Sequence, residues 1–565
     1  MADDKKNQLV RRPGSELDTP GRRTNRVREG MTRDVLARAK AQDVIAARFR
    51  IGDYLLRGPD YRQIMRWAEA GGIRPKQVLQ RLSETVVERP FCDEPCIDQI
   101  SFSLVDGVMI SVPWDFDLLP FIPDSWESGL LIREIGFKKS WNNTRANTSA
   151  DFHPNLPMLE VLTCMRVSLG VIDLSQVPKL TELVHLGNGW GIKLVELDLT
   201  PVPGVKILNC SGNNLTELDL KSVPMLKKLN CSGNNISKLD LELVPGLTEL
   251  SCGGTNITEL DLKSAPMLKK LNCSGNNISK LDLELVPGLT ELSCGGTNIT
   301  ELDLTPVKGL TKLDFSENKT HAELDLTPVP KLVDLDLELN NLSELDLTPV
   351  PRLTILNCSD NNLRELDLTL VTGLSTLNCG INDLSELDLT PVQGLINIDC
   401  SVNNLKELDL RPVPELAKLD CGVNDLSKLD LTPVPKLTML SCRHNNLSEL
   451  DLASVPELTE LSCGGNSLSE LDLAPVPRLI KLYCSLSKLS KLNLMPVPEL
   501  TDLSCEGNSL SELDLTPVPR LTILSCRYNN LSELDLTPVP GLTFLLCDKR
   551  LRLHNAPANL KVSYR

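Results

Sequence analysis

Aromatic residues are scarce: Phe, Trp and Tyr together make up 3% of this 565-residue chain. A large core must therefore be assembled from Leu, Val, Ile and Cys. Histidine is also rare, with 5 in all (His153, His185, His321, His444 and His554). No phosphate-binding loop, metalloprotease helix motif or nucleophile elbow occurs. The glycines of "GNGWGIK" at 187–193 lack dinucleotide-binding spacing and read as a loop. No enzyme activity and no cofactor are expected. No stretch approaches the ~20 apolar residues that span a bilayer. The opening "MADDKKNQLVRRPGSELDTPGRRTNRVREG" lacks the apolar centre of a secretory signal, and the closing "NLKVSYR" carries no hydrophobic tail. The expectation is a cytoplasmic protein of a reducing compartment, with no membrane attachment.

Charge is unevenly distributed. The formal net charge is −16 overall, yet residues 1–90 hold 20 Lys+Arg against 12 Asp+Glu. A basic head precedes an acidic body, and that body disfavours nucleic acid as a partner.

The body repeats. Cys210, Cys231, Cys252, Cys273 and Cys294 stand 21 residues apart. Phe315 continues the series. After a one-residue insertion near "SENKTHAELDL", Leu337 takes the place, and Cys358 to Cys547 then resume the period. Upstream, Leu186 and Cys164 are assigned the same role at looser spacing, giving about 19 turns. Residues 221–262 and 263–304 are identical except at Val223/Ala265, the mark of a duplication of two turns. Asn recurs three places after the ladder position, as Asn213, Asn234, Asn276, Asn361, Asn445 and Asn529. A buried amide there can satisfy the backbone of a tight turn. Thr255, Thr297 and Ser487 replace it with shorter groups and predict looser turns.

Leu437, Leu440, Cys442, Asn445 and Leu447 fill the leucine-rich-repeat frame within one turn. Over about residues 155–550 the chain resembles bacterial leucine-rich-repeat proteins with a cysteine ladder, the 21-residue type of some internalins. The resemblance implies a solenoid with a curved parallel β-sheet. Such internalins are exported and tethered to the cell wall; with neither signal nor anchor here, surface display and adhesion are not expected to carry over. Some leucine-rich-repeat effectors append a ubiquitin-ligase domain, and none is expected after Leu551.

The fold class expected is an α/β leucine-rich-repeat solenoid with a small helical N-terminal region. The layout is a disordered basic tail (1–30), a small helical domain (31–90), a cap of degenerate strands (91–150), the solenoid (151–550) and a C-terminal tail (551–565). Within the head, "FRIGDYLLR" reads as a short strand pair or an extended segment. The "LDLTPVP" segment, with two prolines, reads as a polyproline-like return on the outer side. Leu and Cys of each Leu-x-Cys face the same way from a strand, so the ladder is read as packing. None of its cysteines has the close partner a zinc site needs. Cys92 and Cys96, outside the ladder, read as structural or incidental thiols.

The concave face should present the residues three and one before, and one and two after, each ladder position. In most turns these are small or polar. The last turns carry Met439, Arg443, His444, Lys481, Tyr483, Ile523, Arg527, Tyr528 and Phe544, the candidate binding residues for a protein partner whose identity the sequence withholds. A monomeric interaction scaffold is the primary reading. One alternative is a DNA-linked regulator in which residues 31–90 form a helix-turn-helix reader through Arg62, Arg66, Arg74, Lys76 and Arg81. The other is a secreted bacterial effector acting in a host cell.

Overall fold

The computed structural model describes residues 159–564 except 166–168, 176, 188–192 and 319–323, together with the backbone of six strands nearer the N-terminus. The helical region expected over 31–90, the tail before it, and Cys92 and Cys96 lie outside the described residues, apart from two strands. These are β1 (Arg48–Ile51) and β2 (Tyr54–Arg57), which pair antiparallel as "FRIGDYLLR" predicts. The chain divides into two compact units, Met1–Asn277 and Ile278–Arg565.

One turn of the second unit shows how the sequence builds the rest. In "LAKLDCGVNDLSKLDLTPVPKL", Lys418–Asp420 forms a three-residue strand whose Leu419 is buried, with Cys421 buried directly after it. Leu426, Leu429, Leu431, Val434 and Leu437 fill the remainder of the interior. Asp430 Oδ1 accepts from Thr432 N at 2.9 Å, and two tight turns then close through Val434 N to Leu431 O (3.1 Å) and Leu437 N to Val434 O (3.2 Å). Proline fixes φ without forcing an extended run. The outer side is thus a pair of successive turns in place of the polyproline-like return expected, and no helix occurs among the described residues. The next turn repeats every one of these features, because it repeats the sequence.

Strands stack parallel and in register. Lys418 lies opposite Met439, Leu419 opposite Leu440 and Asp420 opposite Ser441, and Cys421 N donates to Ser441 O at 2.8 Å. Each turn leaves one apolar side unburied, and the neighbour covers it; this sharing is what makes the array stable. A second ladder of hydroxyls reinforces the first: Thr438 Oγ1 donates to Ala417 O and Thr459 Oγ1 to Thr438 O, both at 3.0 Å. The leucine-rich-repeat solenoid read from the period is therefore present in both units.

In the first unit, β3 (Gln99–Leu104) and β4 (Met109–Pro113) form an antiparallel pair. Strand β3 also pairs antiparallel with β5 (Ile132–Lys138), which runs parallel to β6 (Val161–Met165) of the first cysteine turn. In the second unit, Phe544–Cys547 pairs with Lys561–Tyr564, so residues past 551 extend the sheet by another strand.

One ladder assignment is corrected. Cys164 pairs in register with His185, and Leu183 with Leu208, so His185 holds the place assigned to Leu186. The period from Cys164 to His185 is 21, and the extra residues fall after it, before Leu194. Preference for an apolar residue outweighed the spacing in the sequence reading. His185 is fully buried all the same.

Candidate binding face

The sixteen described cysteines are free and buried. Burial pushes the Cys164 and Cys358 thiols up to about 12, and raises those of Cys421 and Cys442 well above the ordinary range. Such thiols stay neutral and weakly nucleophilic, as packing groups should. His185 interrupts their column. Its Nδ1 lies 3.3 Å from Asn213 Nδ2, its Nε2 has no partner, and burial holds its pKa down to about 4.

The asparagine column clamps adjacent turns. Asn424 Nδ2 donates to Cys421 O (3.1 Å) in its own turn and to Cys400 O (3.0 Å) in the one before, while its Oδ1 accepts from Leu405 N (3.0 Å). Thr255 keeps part of this set, donating to Cys252 O at 2.9 Å and meeting Asn276 Oδ1 at 2.6 Å. Ser487 keeps none: its buried Oγ has no partner. Ser487→Asn is therefore expected to stabilise the chain by about 1–3 kcal/mol, since it restores up to three bonds that net about 1 kcal/mol each. A urea unfolding midpoint at or below that of the wild type would contradict this.

The candidate residues fall into three clusters, because the intervening turns present only small or acidic side chains. Met439 is half-buried between Lys418 and Glu460. Arg443 and His444 beside it are exposed. His444 has φ 50°, and its imidazole lies where a Cβ on Gly465 would stand. Two turns on, Lys481 Nζ donates to Glu460 Oε1 at 2.9 Å, and Tyr483 stands exposed between Ser462 and Ser504. The Tyr483 hydroxyl titrates above its ordinary range, chiefly through desolvation and then through Asp502.

The third cluster is the densest. Ile523 and Phe544 are register neighbours, 43% and 38% exposed. Arg527 is held by Glu506 through Nη2 (2.7 Å) and Nε (3.2 Å), and Glu506 also accepts from Ser525 Oγ. The guanidinium carbon lies 5.2 Å from the ring centroid of Tyr528, which is 60% exposed, and Tyr528 N donates to Asp548 Oδ2 at 2.8 Å. Arg527 thus serves as a rigid shelf under an aromatic ring, with its charge already paired.

The sequence reading placed the row two after the ladder position on this face but took most of it for small or polar side chains. Two places after the ladder position the backbone is left-handed, and in the first unit glycine takes it, as at Gly212, Gly233 and Gly254. In the second unit Leu339, Ile381, Val402, Val423 and Leu486 stand there with φ between 52° and 57° and exposed side chains. The signal was present: residues that replace a recurrent glycine inherit its conformation.

No group of three or more metal-ligating side chains occurs among the described residues. Nor is any helix there long and apolar enough to cross a membrane.

No family model matches the chain, and no curated protein matches it. Solved structures do. The functional domain of InlJ from Listeria monocytogenes, which includes a cysteine ladder, is 33% identical, covering 59% of this chain and 75% of its own, with a TM-score of 0.51. YopM from Yersinia enterocolitica is 27% identical, covering 76% of this chain and 91% of its own, with a TM-score of 0.52. The leucine-rich-repeat ectodomain of the receptor kinase GASSHO1/SCHENGEN3 from Arabidopsis thaliana, in complex with CASPARIAN STRIP INTEGRITY FACTOR 2, shares the fold at 20% identity, covering 72% of this chain and 55% of its own, with a TM-score of 0.52. Matched at 33% identity over three quarters of the InlJ domain, the chain belongs to the leucine-rich-repeat proteins built on a cysteine ladder.

Proposed function

We propose that the chain is a non-catalytic scaffold that binds a protein partner on the strand face of its repeats. The observation that carries this reading is the cluster at the last turns. In a chain with 3% aromatics, Phe544 and Tyr528 stand exposed there, beside Ile523 and over a guanidinium fixed by Glu506. Exposed aromatics on an immobilised frame bind with little loss of side-chain entropy, which is what hot-spot residues require. One structural likeness adds support, since the plant ectodomain is seen with a bound factor. Neutral buried thiols argue against the ladder as a source of nucleophiles. Cytoplasmic residence, a monomeric state and a cap at 91–150 belong to the same reading.

The test is affinity capture from native lysate with the full chain. Tyr528→Ala combined with Phe544→Ala is expected to lower recovery of the captured partner at least about tenfold, with an unchanged urea midpoint. Equal recovery by variant and wild type would overturn the assignment of this cluster.

A further inference from the structure

Ile381, Val402 and Val423 occupy successive turns of the second unit, each two residues after a ladder cysteine. Their φ angles are 52°, 55° and 54°. A β-branched side chain crowds the backbone there, and for that reason glycine takes the equivalent place at Gly296, Gly465 and Gly507. The three side chains are 47%, 37% and 37% exposed, so their burial returns little. Glycine would serve the turn better. Strain kept in exchange for exposed apolar surface marks a place that contacts something else.

Carboxylates border this ridge. Asp399 and Asp420 are register partners on adjacent strands, one residue before Cys400 and Cys421. Asp399 Oδ1 accepts from Ser401 N (3.0 Å) and Ser401 Oγ (2.6 Å), and Asp420 Oδ1 from Gly422 N (2.9 Å), so both are fixed in place. On the other side of the ridge in sequence stand Asp383 and Asp425, and Asp360 precedes Ile381 in the same column. Asp420 titrates above its ordinary range, first because of burial and also because of Asp399; Arg443 from the next turn offsets this only in part. The surface is apolar along its crest and under-neutralised along its flanks.

We propose that the Ile381–Val402–Val423 ridge and the Asp399–Asp420 pair bind an extended, cationic and aliphatic segment of a protein partner, with Lys or Arg interspersed among Val, Ile or Leu. The aliphatic groups cover the crest and the cations meet the carboxylates. This rests on the scaffold reading above but uses different turns.

Fluorescence anisotropy of labelled octapeptides with the full chain tests it. A peptide alternating Lys and Val is expected to bind, and peptides alternating Lys with Ser or Glu with Val to bind at least about tenfold more weakly. The Ile381→Gly/Val402→Gly/Val423→Gly variant should lose about tenfold in affinity for the Lys–Val peptide while its unfolding temperature is no lower than that of the wild type, an outcome a purely structural role would not give. Asp399→Asn with Asp420→Asn keeps the local hydrogen bond, as Asn378 does with Gly380 N, and should weaken binding and flatten its salt dependence. No binding of the Lys–Val peptide, equal binding of the Lys–Ser peptide, or unchanged affinity in the triple variant would each overturn the proposal. If the triple variant captures the lysate partner as the wild type does while Tyr528→Ala/Phe544→Ala fails, the ridge assignment falls and the scaffold reading stands.

Discussion

Acidification from about pH 7.5 to about pH 4 is expected to remove about 3 kcal/mol of stability through His185 alone. The imidazole is buried with an unpartnered Nε2, and its pKa is held down to about 4 from an ordinary value of 6.5. Unfolding frees it to take up a proton that the folded chain refuses. Between those two values the unfolded state binds more protons, so stability falls as pH falls and is fully present only above about pH 6.5. A 2.5-unit separation at about 1.4 kcal/mol per unit sets a ceiling of about 3.5 kcal/mol, of which about 3 is lost by pH 4, where the folded imidazole is itself half protonated. Carboxylates contribute to the same acid limb with both signs. Asp420 is raised by burial and favours the fold as pH drops, whereas Asp409, drawn down to about 2 by the side chain and backbone N–H of Arg411, does the opposite. Comparison with His185→Cys isolates the histidine, because that change restores the residue its register neighbours Cys164 and Cys210 already carry. Urea midpoints of wild type and variant should diverge as pH is lowered from neutrality. Parallel pH profiles would refute the assignment.

Asn424→Ala should destabilise the chain by about 3–5 kcal/mol. It strands Leu405 N inside the stack, at ~1–3 kcal/mol for a buried group left unpaired, and removes one of the two amide donors at Cys400 O and at Cys421 O, at about 1 kcal/mol each; Asn403 and Asn445 keep the other bond to each carbonyl. In a quasi-one-dimensional array this loss concentrates in one pair of turns, since each turn depends on its neighbours alone. Proteolysis should accordingly open the chain near 400–445 before elsewhere. Asn424→Thr should recover part of the loss, because Thr255 and Thr297 already bond to Cys252 O and Cys294 O at 2.9 Å in the same position. A midpoint for Asn424→Ala within about 1 kcal/mol of the wild type would show that the amides are dispensable.

The period alone made the stack legible, because one turn cannot bury its own apolar faces and 21-residue identity forces identical neighbours. It also predicted inward Cys421 and Cys442 and outward His444, since alternation along a strand sets sides. The outer return was misjudged because prolines were weighed above Asp430, whose side chain organises the turn. His185 was overlooked because a buried, half-satisfied imidazole goes against composition, and only strand register revealed it. At the candidate face, exposure of Tyr528 and Phe544 followed from their columns. The pairing of Arg527 with Glu506, 21 residues earlier, requires knowing that adjacent turns touch side by side. The ridge at Val402 stayed hidden because left-handed geometry leaves no trace in valine itself; it is visible only by analogy with the glycines one column shares.

Two turns are longer than the rest, and both carry their surplus in the same place. From Leu194 to Cys210 the spacing equals that from Leu405 to Cys421, and from Leu326 to Leu337 it equals that from Leu431 to Cys442. The additional length therefore lies in sequence between His185 and Leu194 in the one and between Asn318 and Leu324 in the other, while Leu313 and Leu335 still meet in register. Either interval is thus a splice point: a reporter or an affinity handle inserted there should leave every strand pairing as it is, since the array already absorbs surplus length at both without a register shift.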